Sequence, residues 1–179
     1  TYMSHHTALE SLPESLFADA RDFSAADFTY MFSECPNLKT VPAGLFSRFT
    51  KVTSPGYRNL FDSSGIETIP AGLFVNSTAV SSGFEGVFEN CPELTTIEGS
   101  IFPETSGITS IAYAFCNCPK LENIPEDLFA PFGEAKLKFT ATFAACPSLR
   151  EIPAGLFAAN TKAKQFSETF ADCSSLESI

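Results

Sequence analysis

The sequence predicts an α/β solenoid of about six to seven coils, each combining a short parallel strand, short helical or 3-10 turns and a second extended wall. Three columns of residues repeat together through the chain and predict this class. The first column is Phe32, Phe61, Phe88, Phe115, Phe143 and Phe170, with steps of 29, 27, 27, 28 and 27 residues. An Ile/Val/Leu column and a Leu-Phe column advance in step with it. Three registers that drift together at about 28 residues indicate stacked repeats.

Each repeat divides into short elements. The opening segments, such as FTYMF and FTATF, place two apolar residues at i and i+4 with Cys three further on, which predicts one helical turn. The following Leu-x-x-Ile predicts a strand of about three residues. Proline then ends the strand in nearly every copy, because it has no N–H for the sheet, and Glu98 is the exception.

The last part of each repeat predicts two further elements. The Ala-Gly or Glu-Asp before Leu-Phe predicts a tight or 3-10 turn. Later pieces such as GITSI and TAVSSGF predict a second extended segment on the opposite wall. We expect one domain over residues 1–179, with coil boundaries near 1–31, 32–60, 61–87, 88–114, 115–142, 143–169 and 170–179. Neither end carries a polar cap, which predicts either a fragment of a longer protein with flanking domains or a module whose ends meet a partner.

The repeat, written F-x-x-C-x-x-L-x-x-I-P, resembles the BspA-like (Treponema-type) leucine-rich repeats in a longer variant of about 28 residues. The resemblance covers nearly the whole chain. It implies a right-handed leucine-rich-repeat superhelix. It also implies an extracellular or cell-surface bacterial protein with an adhesive or ligand-binding role, although residues 1–10 carry no secretion signal pattern.

The phenylalanine column and a cysteine column together predict the structural core. Nineteen phenylalanines and no tryptophan mean that phenylalanine rings must fill much of the interior. The cysteine column is Cys35, Cys91, Cys118, Cys146 and Cys173, with Ser64 in the gap. We expect free inward thiols, since stacked parallel side chains hold their Cβ atoms slightly too far apart for disulfides, which remain the alternative. Cys116 lies outside the column and is expected near solvent.

Two polar columns follow the strand leucine and predict an exposed face. Opposite charges largely alternate along the first column, and hydroxyl groups dominate the second. This candidate ligand face comprises Lys39, Thr40, Glu67, Thr68, Thr95, Thr96, Glu122, Asn123, Arg150 and Glu151. Solvation and ladder stability alone also explain such columns. Tyr30 and Tyr113 offer weaker support for a sugar-stacking site.

The sequence predicts no catalytic, cofactor or metal residues. His5 and His6 are the only histidines, no Ser-His-Asp set or glycine-rich phosphate loop is present, and the carboxylates are scattered. A net charge of −10 argues against nucleic acid and anionic membrane surfaces. We therefore expect a non-catalytic module that binds a protein or glycan. The alternatives are a structural spacer and, more remotely, a carbohydrate hydrolase.

Overall fold

Regular secondary structure is scarce in this chain. The computed structural model describes residues 8–19, 26–50, 52, 56–77, 83–104 and 107–178. These residues contain one parallel sheet of two strands, β1 (Thr68–Ile69) and β2 (Thr96–Ile97), and one 3-10 helix, Ala130–Phe132. Within them there is no α-helix and no sheet with a strand from each repeat. The predicted class, an α/β solenoid of several coils forming a leucine-rich-repeat superhelix, is therefore wrong.

Left-handed residues explain why the predicted helical turn does not form. Two positions, four residues apart, adopt φ between 50° and 61° in each described opening segment. The first is occupied by Tyr30, Asn59, Gly86, Tyr113, Ala141 and Glu168, and the second by Glu34, Ser63, Asn90, Asn117, Ala145 and Asp172. Eleven of these twelve residues are not glycine, and a left-handed residue cannot continue a right-handed helix.

The opening segments instead bond to one another between repeats. The N–H groups of Tyr30, Phe32 and Glu34 donate to carbonyls 28 residues further on, at 3.1, 2.9 and 2.8 Å. The intervening N–H groups of Met31 and Ser33 donate three residues back, at 2.9 and 3.3 Å. The same alternation recurs in later repeats, as far as the bond from Ala145 to the Ala171 carbonyl. The repeats therefore lie side by side along this wall without forming a regular strand or helix.

This backbone predicts opposite effects of glycine at two adjacent alanines. Ala145 has a φ of 56°, whereas Ala144 is not left-handed. Ala145→Gly removes a steric cost of about 1–2 kcal/mol but adds unfolded-state entropy, so we expect a gain of about 0.5–1 kcal/mol. Ala144→Gly is the matched control, and we expect it to lose about 0.5–1 kcal/mol. Urea denaturation of both variants provides the measurement, and a loss at both positions would contradict the left-handed assignment.

Proline explains why the Leu-x-x-Ile segments give only one sheet. Glu98 stands where the other described repeats have proline, and its N–H donates to the Ile69 carbonyl at 3.0 Å to close the β1–β2 ladder. Pro70 and Pro125 lack this donor, so the equivalent bond cannot form in their repeats. Two other pairs of neighbouring segments along this wall form single parallel bridges, Ser11 with Thr40 and Glu151 with Ser178, and Glu67 N–H donates to the Lys39 carbonyl without forming a bridge. The prediction of a strand of about three residues in every repeat is thus wrong.

The second extended wall also contains no continuous strand in the described residues. It consists of isolated parallel bridges, Ala26 with Val52 and Lys138 with Gln165, and a bridge residue at Ile108 within GITSI. Most of TAVSSGF lies outside the described residues. The expected tight turn before Leu-Phe is present, since the N–H groups of Leu45 and Leu156 donate three residues back to Pro42 and Pro153. The 3-10 helix lies after that turn, at Ala130–Phe132.

Files of aromatic rings form the core. Phe32, Phe61, Phe88, Phe115 and Phe143 are fully or almost fully buried, and Phe170 is partly buried. Neighbouring rings of this file are nearly parallel, with centroids 5.2–5.8 Å apart and interplanar angles of 13° or less. The Leu-Phe column forms a second file from Phe46 to Phe157, with spacings of 5.3–6.4 Å.

A third aromatic file contains one aliphatic residue. Phe28, Tyr57 and Phe84 stack at 5.3 Å, and Phe139 stacks on Phe166 at 5.2 Å, but Ile111 stands between these two runs. Phe132, from the 3-10 helix, packs nearby with its centroid 6.5 Å from Phe84 and 4.9 Å from Phe102. This extra ring therefore contacts rings of both the second and the third file.

The cysteine column is buried and unbridged. No disulfide joins the buried cysteines of this column, which are Cys35, Cys91, Cys118, Cys146 and Cys173, and the half-buried Cys116 is not in a disulfide either. Cys91, Cys118, Cys146 and Cys173 each donate to the carbonyl of a phenylalanine 30 or 31 residues earlier, at 3.0–3.3 Å. Ser64 fills its place in the column with a hydroxyl 3.5 Å from the Cys91 sulfur. These weak bonds satisfy carbonyl groups inside the core.

Candidate ligand-binding face

The ten residues of the candidate ligand face lie mostly in solvent. Eight are exposed, and Glu67 and Thr68 are half-buried. Backbone bonds hold the first part of the face together, because Lys39 N–H donates to the Glu10 carbonyl and Glu67 N–H to the Lys39 carbonyl, at 3.0 and 3.1 Å. Thr95 continues this series with a 3.0 Å bond to the Glu67 carbonyl. The face therefore has a fixed backbone from Lys39 to β2.

Charge pairing along this face is local. Lys39 and Glu67 form an ion pair at 2.5 Å, and the bond to Glu67 raises the pKa of Lys39. Both side chains are about half exposed, so the pair adds little to stability. Arg150, also in the charge column, makes no ion pair with Glu122 or Glu177, although the structure describes all three residues. The expected alternation of charges thus yields one contact on this face.

A cleft interrupts the face between β2 and the following repeat. In this fully described region, no backbone hydrogen bond joins residues 95–97 to 122–124. The cleft has a volume of about 330 Å³ and is lined by residues 95–99 and 123–125. Thr95, Thr96 and Asn123 belong to the candidate ligand face. The structure thus brings three predicted residues together at one opening and leaves the other seven along the surface.

The cleft combines hydrogen-bonding groups with a buried apolar border. Thr95 and Thr96 supply hydroxyl groups, and Asn123 supplies an amide that both donates and accepts. Ile97 and Ile124 are 6% and 5% exposed, so mainly their edges reach the opening. Hydroxyl and amide groups beside apolar surface suit a neutral polar ligand, such as a sugar or a peptide backbone.

The face predicted from the sequence contains three of the eight residues that line this cleft and lacks the other five, two of which are the buried Ile97 and Ile124. Glu98, Gly99 and Pro125 line it but were not assigned to the face. Glu98 was visible as the one break in the proline column, and it lies next to Gly99, whose φ is 135°. That break was the sequence signal for the cleft.

A cluster of polar side chains lies along the opening segments. Asn90 donates to Asp62 at 2.9 Å, and Asn117 donates to Asn90 at 2.8 Å. Partial burial and the nearby Asp62 raise the pKa of Glu89, which also accepts a bond from Asn59 at 3.3 Å. The amides thus support carboxylates that the stacking of repeats brings close to one another.

The remaining candidate residues do not form a chemical site in the described part of the chain. Cys116 is half-buried, and burial raises the pKa of its thiol from 9.0 to about 11, so the nucleophilic thiolate is scarce at neutral pH. Tyr30 and Tyr113 occupy the left-handed positions of the opening segments and do not line the cleft. His5 and His6 lie outside the described residues.

Two further properties concern metals and membranes. Among the residues described, no three His, Cys, Asp or Glu side chains are grouped so that they could hold a metal ion. The same residues include no helix with the length and apolar character needed to cross a bilayer.

A scan against models of protein families, a search of the curated proteins and a search of the solved structures found no match to this chain. The resemblance to the BspA-like repeats therefore rests on the repeat pattern alone.

Proposed function

We propose that this chain is a non-catalytic binding module that takes a protein or glycan partner through its polar face. The cleft beside β2 carries this proposal, because the backbone bonds that join the face from Lys39 to β2 stop there and hydroxyl and amide groups line an opening. Ligand sites of this kind combine a few placed polar groups with an apolar border. The stacked rings of the core support the role, since a surface fixed on a well-packed core loses little entropy on binding.

The proposed location is the cell surface or the extracellular space, and it rests on the resemblance to the BspA-like repeats. The acidic net charge of −10 agrees with a soluble surface that avoids nucleic acid and anionic lipid. The competing proposal is a structural spacer within a longer surface protein. A spacer needs the stacked core but has no use for the cleft.

The test compares two lysine substitutions in the same column of the face. Thr96→Lys places a long cation at the cleft, whereas Thr40→Lys makes the same change at an exposed position that does not line it. Both threonines take part in parallel bridges to the preceding repeat, so the two changes are matched in backbone setting. The protein and both variants are screened against a glycan array and a panel of extracellular matrix proteins.

We expect the unmodified chain to bind at least one glycan or matrix protein. Thr96→Lys should weaken that binding by at least about tenfold and Thr40→Lys by less than about twofold. Equal binding by both variants would show that the cleft is not the binding site. Absence of binding in both screens would favour the spacer.

A further inference from the structure

A second concave surface lies around the Leu-Phe pairs, mostly at the turns that follow them. One cavity of about 520 Å³ and a neighbouring one of about 310 Å³ share Ser100, Glu104 and Pro131 in their linings. The larger cavity is also lined by residues 72 and 75–77, and the smaller one by Asp127 and Ala130. Together they form one groove across three successive repeats, which we name the acidic groove. It shares no lining residue with the cleft beside β2.

The groove has an apolar lining that remains partly open to solvent. Val75, Phe102, Pro103 and Pro131 contribute to it. Val75 is 42% exposed and is one of four exposed large apolar side chains in the described residues, whereas the ring contacts of Phe102 keep it at 4%. Pro131 belongs to the 3-10 helix Ala130–Phe132, whose Phe132 is anchored in the core. The core contacts of Phe102 and Phe132 therefore hold this lining in place.

The charged groups of the groove are all of one sign. Glu104 and Asp127 are exposed carboxylates of the smaller cavity, and no lysine or arginine lines either cavity among the described residues. No ion pair involving either carboxylate is present in the described part of the chain. By contrast, Glu67, Glu93 and Glu134 each have a lysine partner elsewhere on the surface. The groove therefore offers two carboxylates beside apolar surface.

We propose that the acidic groove binds a basic segment of a partner protein, with alternating apolar and lysine or arginine side chains. The aliphatic stems of such side chains cover apolar surface while their charged ends remain at the rim. Val75 and Pro131 would receive the apolar parts, and Glu104 and Asp127 would pair with the cationic ends. Complementary charge also selects against acidic and neutral partners. This goes beyond the proposed function, because it names a different surface and one class of partner.

The probe is the peptide acetyl-Leu-Arg-Leu-Arg-Leu-amide, with a second peptide in which citrulline replaces both arginines. Citrulline keeps the shape of arginine but carries no charge. Binding is measured by isothermal titration calorimetry against the full chain and two double variants. Glu104→Gln with Asp127→Asn removes the groove carboxylates, and Glu122→Gln with Glu151→Gln removes two exposed carboxylates of the polar face.

We expect saturable binding of the arginine peptide to the unmodified chain, at least about tenfold weaker binding to the groove variant, and a change of less than about twofold for the control variant. The citrulline peptide should bind at least about tenfold more weakly than the arginine peptide. Equal weakening by both double variants would mean that net charge alone attracts the peptide, and would overturn the proposal. So would equal binding of both peptides, or no binding up to about 1 mM. Thr96→Lys should leave peptide binding unchanged, which separates this test from that of the cleft.

Discussion

Replacing Phe88 by alanine is expected to lower the free energy of unfolding by about 3–5 kcal/mol. Phe88 is fully buried and stands in the middle of the first aromatic file, with ring centroids 5.3 Å from Phe61 and 5.8 Å from Phe115. Its removal loses the transfer energy of the ring and leaves a cavity between two rings that the hydrogen-bonded backbone holds apart. Urea denaturation followed by circular dichroism gives the measurement.

Two further positions test whether the file causes this loss. Phe143, also fully buried, stacks at 5.2 Å on Phe115, and its replacement by alanine should cost about as much as that of Phe88. Phe166 is 47% exposed at the edge of the third file, so we expect Phe166→Ala to cost only about 1 kcal/mol. Losses below about 1 kcal/mol at both buried positions would contradict their role in the core.

The repeat columns could be predicted from the sequence because a buried position requires the same type of residue in every repeat. A ring that must stack on the equivalent ring of the next repeat needs a large apolar residue at that place every time, as Phe61 and Phe88 show. The cysteine column follows the same rule, since each thiol fits one small buried space and one carbonyl. Such columns indicate which residues are inside. They do not determine the backbone conformation between those residues.

The fold class was wrong for reasons that apolar spacing does not reveal. Tyr30 and Ala145 are left-handed although both residue types usually avoid that conformation, so nothing in their identity warned against a helical turn. The strand prediction failed because proline after Ile removes the donor that a two-residue ladder needs. The one repeat with Glu98 in place of proline keeps that donor, and the Glu98 N–H closes the only sheet in the described residues.

The candidate binding surfaces differ in how far the sequence could locate them. Thr96 and Asn123 follow from the polar columns, but their closeness to an opening depends on a missing ladder between two repeats. The acidic groove was not predicted at all, because most of its lining residues lie in the variable stretch after Leu-Phe. Its sequence signal is Pro103 and Pro131, which stand at different distances from their Leu-Phe pairs and so escape alignment in a column.

Gly65→Ala is expected to lower the free energy of unfolding by about 2–3 kcal/mol. Pro70 follows Phe61 by nine positions, whereas Pro42 follows Phe32 by ten, so the repeat that begins at Phe61 is one residue shorter here. The shortened connection still buries Ile66 completely, and Gly65 N–H donates to the Cys35 carbonyl at 3.1 Å. A Cβ atom on Gly65 would lie only 2.0 Å from the carbonyl oxygen of Pro36.

The clash at Gly65 involves backbone on both sides, so neither partner can turn away by changing a rotamer. Gly155→Ala is the control, because the three atoms nearest to its added Cβ all belong to the flexible side chain of exposed Glu126. We expect a change within about 0.5 kcal/mol. Neither glycine is left-handed, so the comparison measures space and not conformational freedom. Equal, small effects at both glycines would mean that the shortened repeat follows another path. A large loss of stability for Gly65→Ala alone would show that the shorter repeat needs a close backbone contact at this position. Only glycine allows that contact.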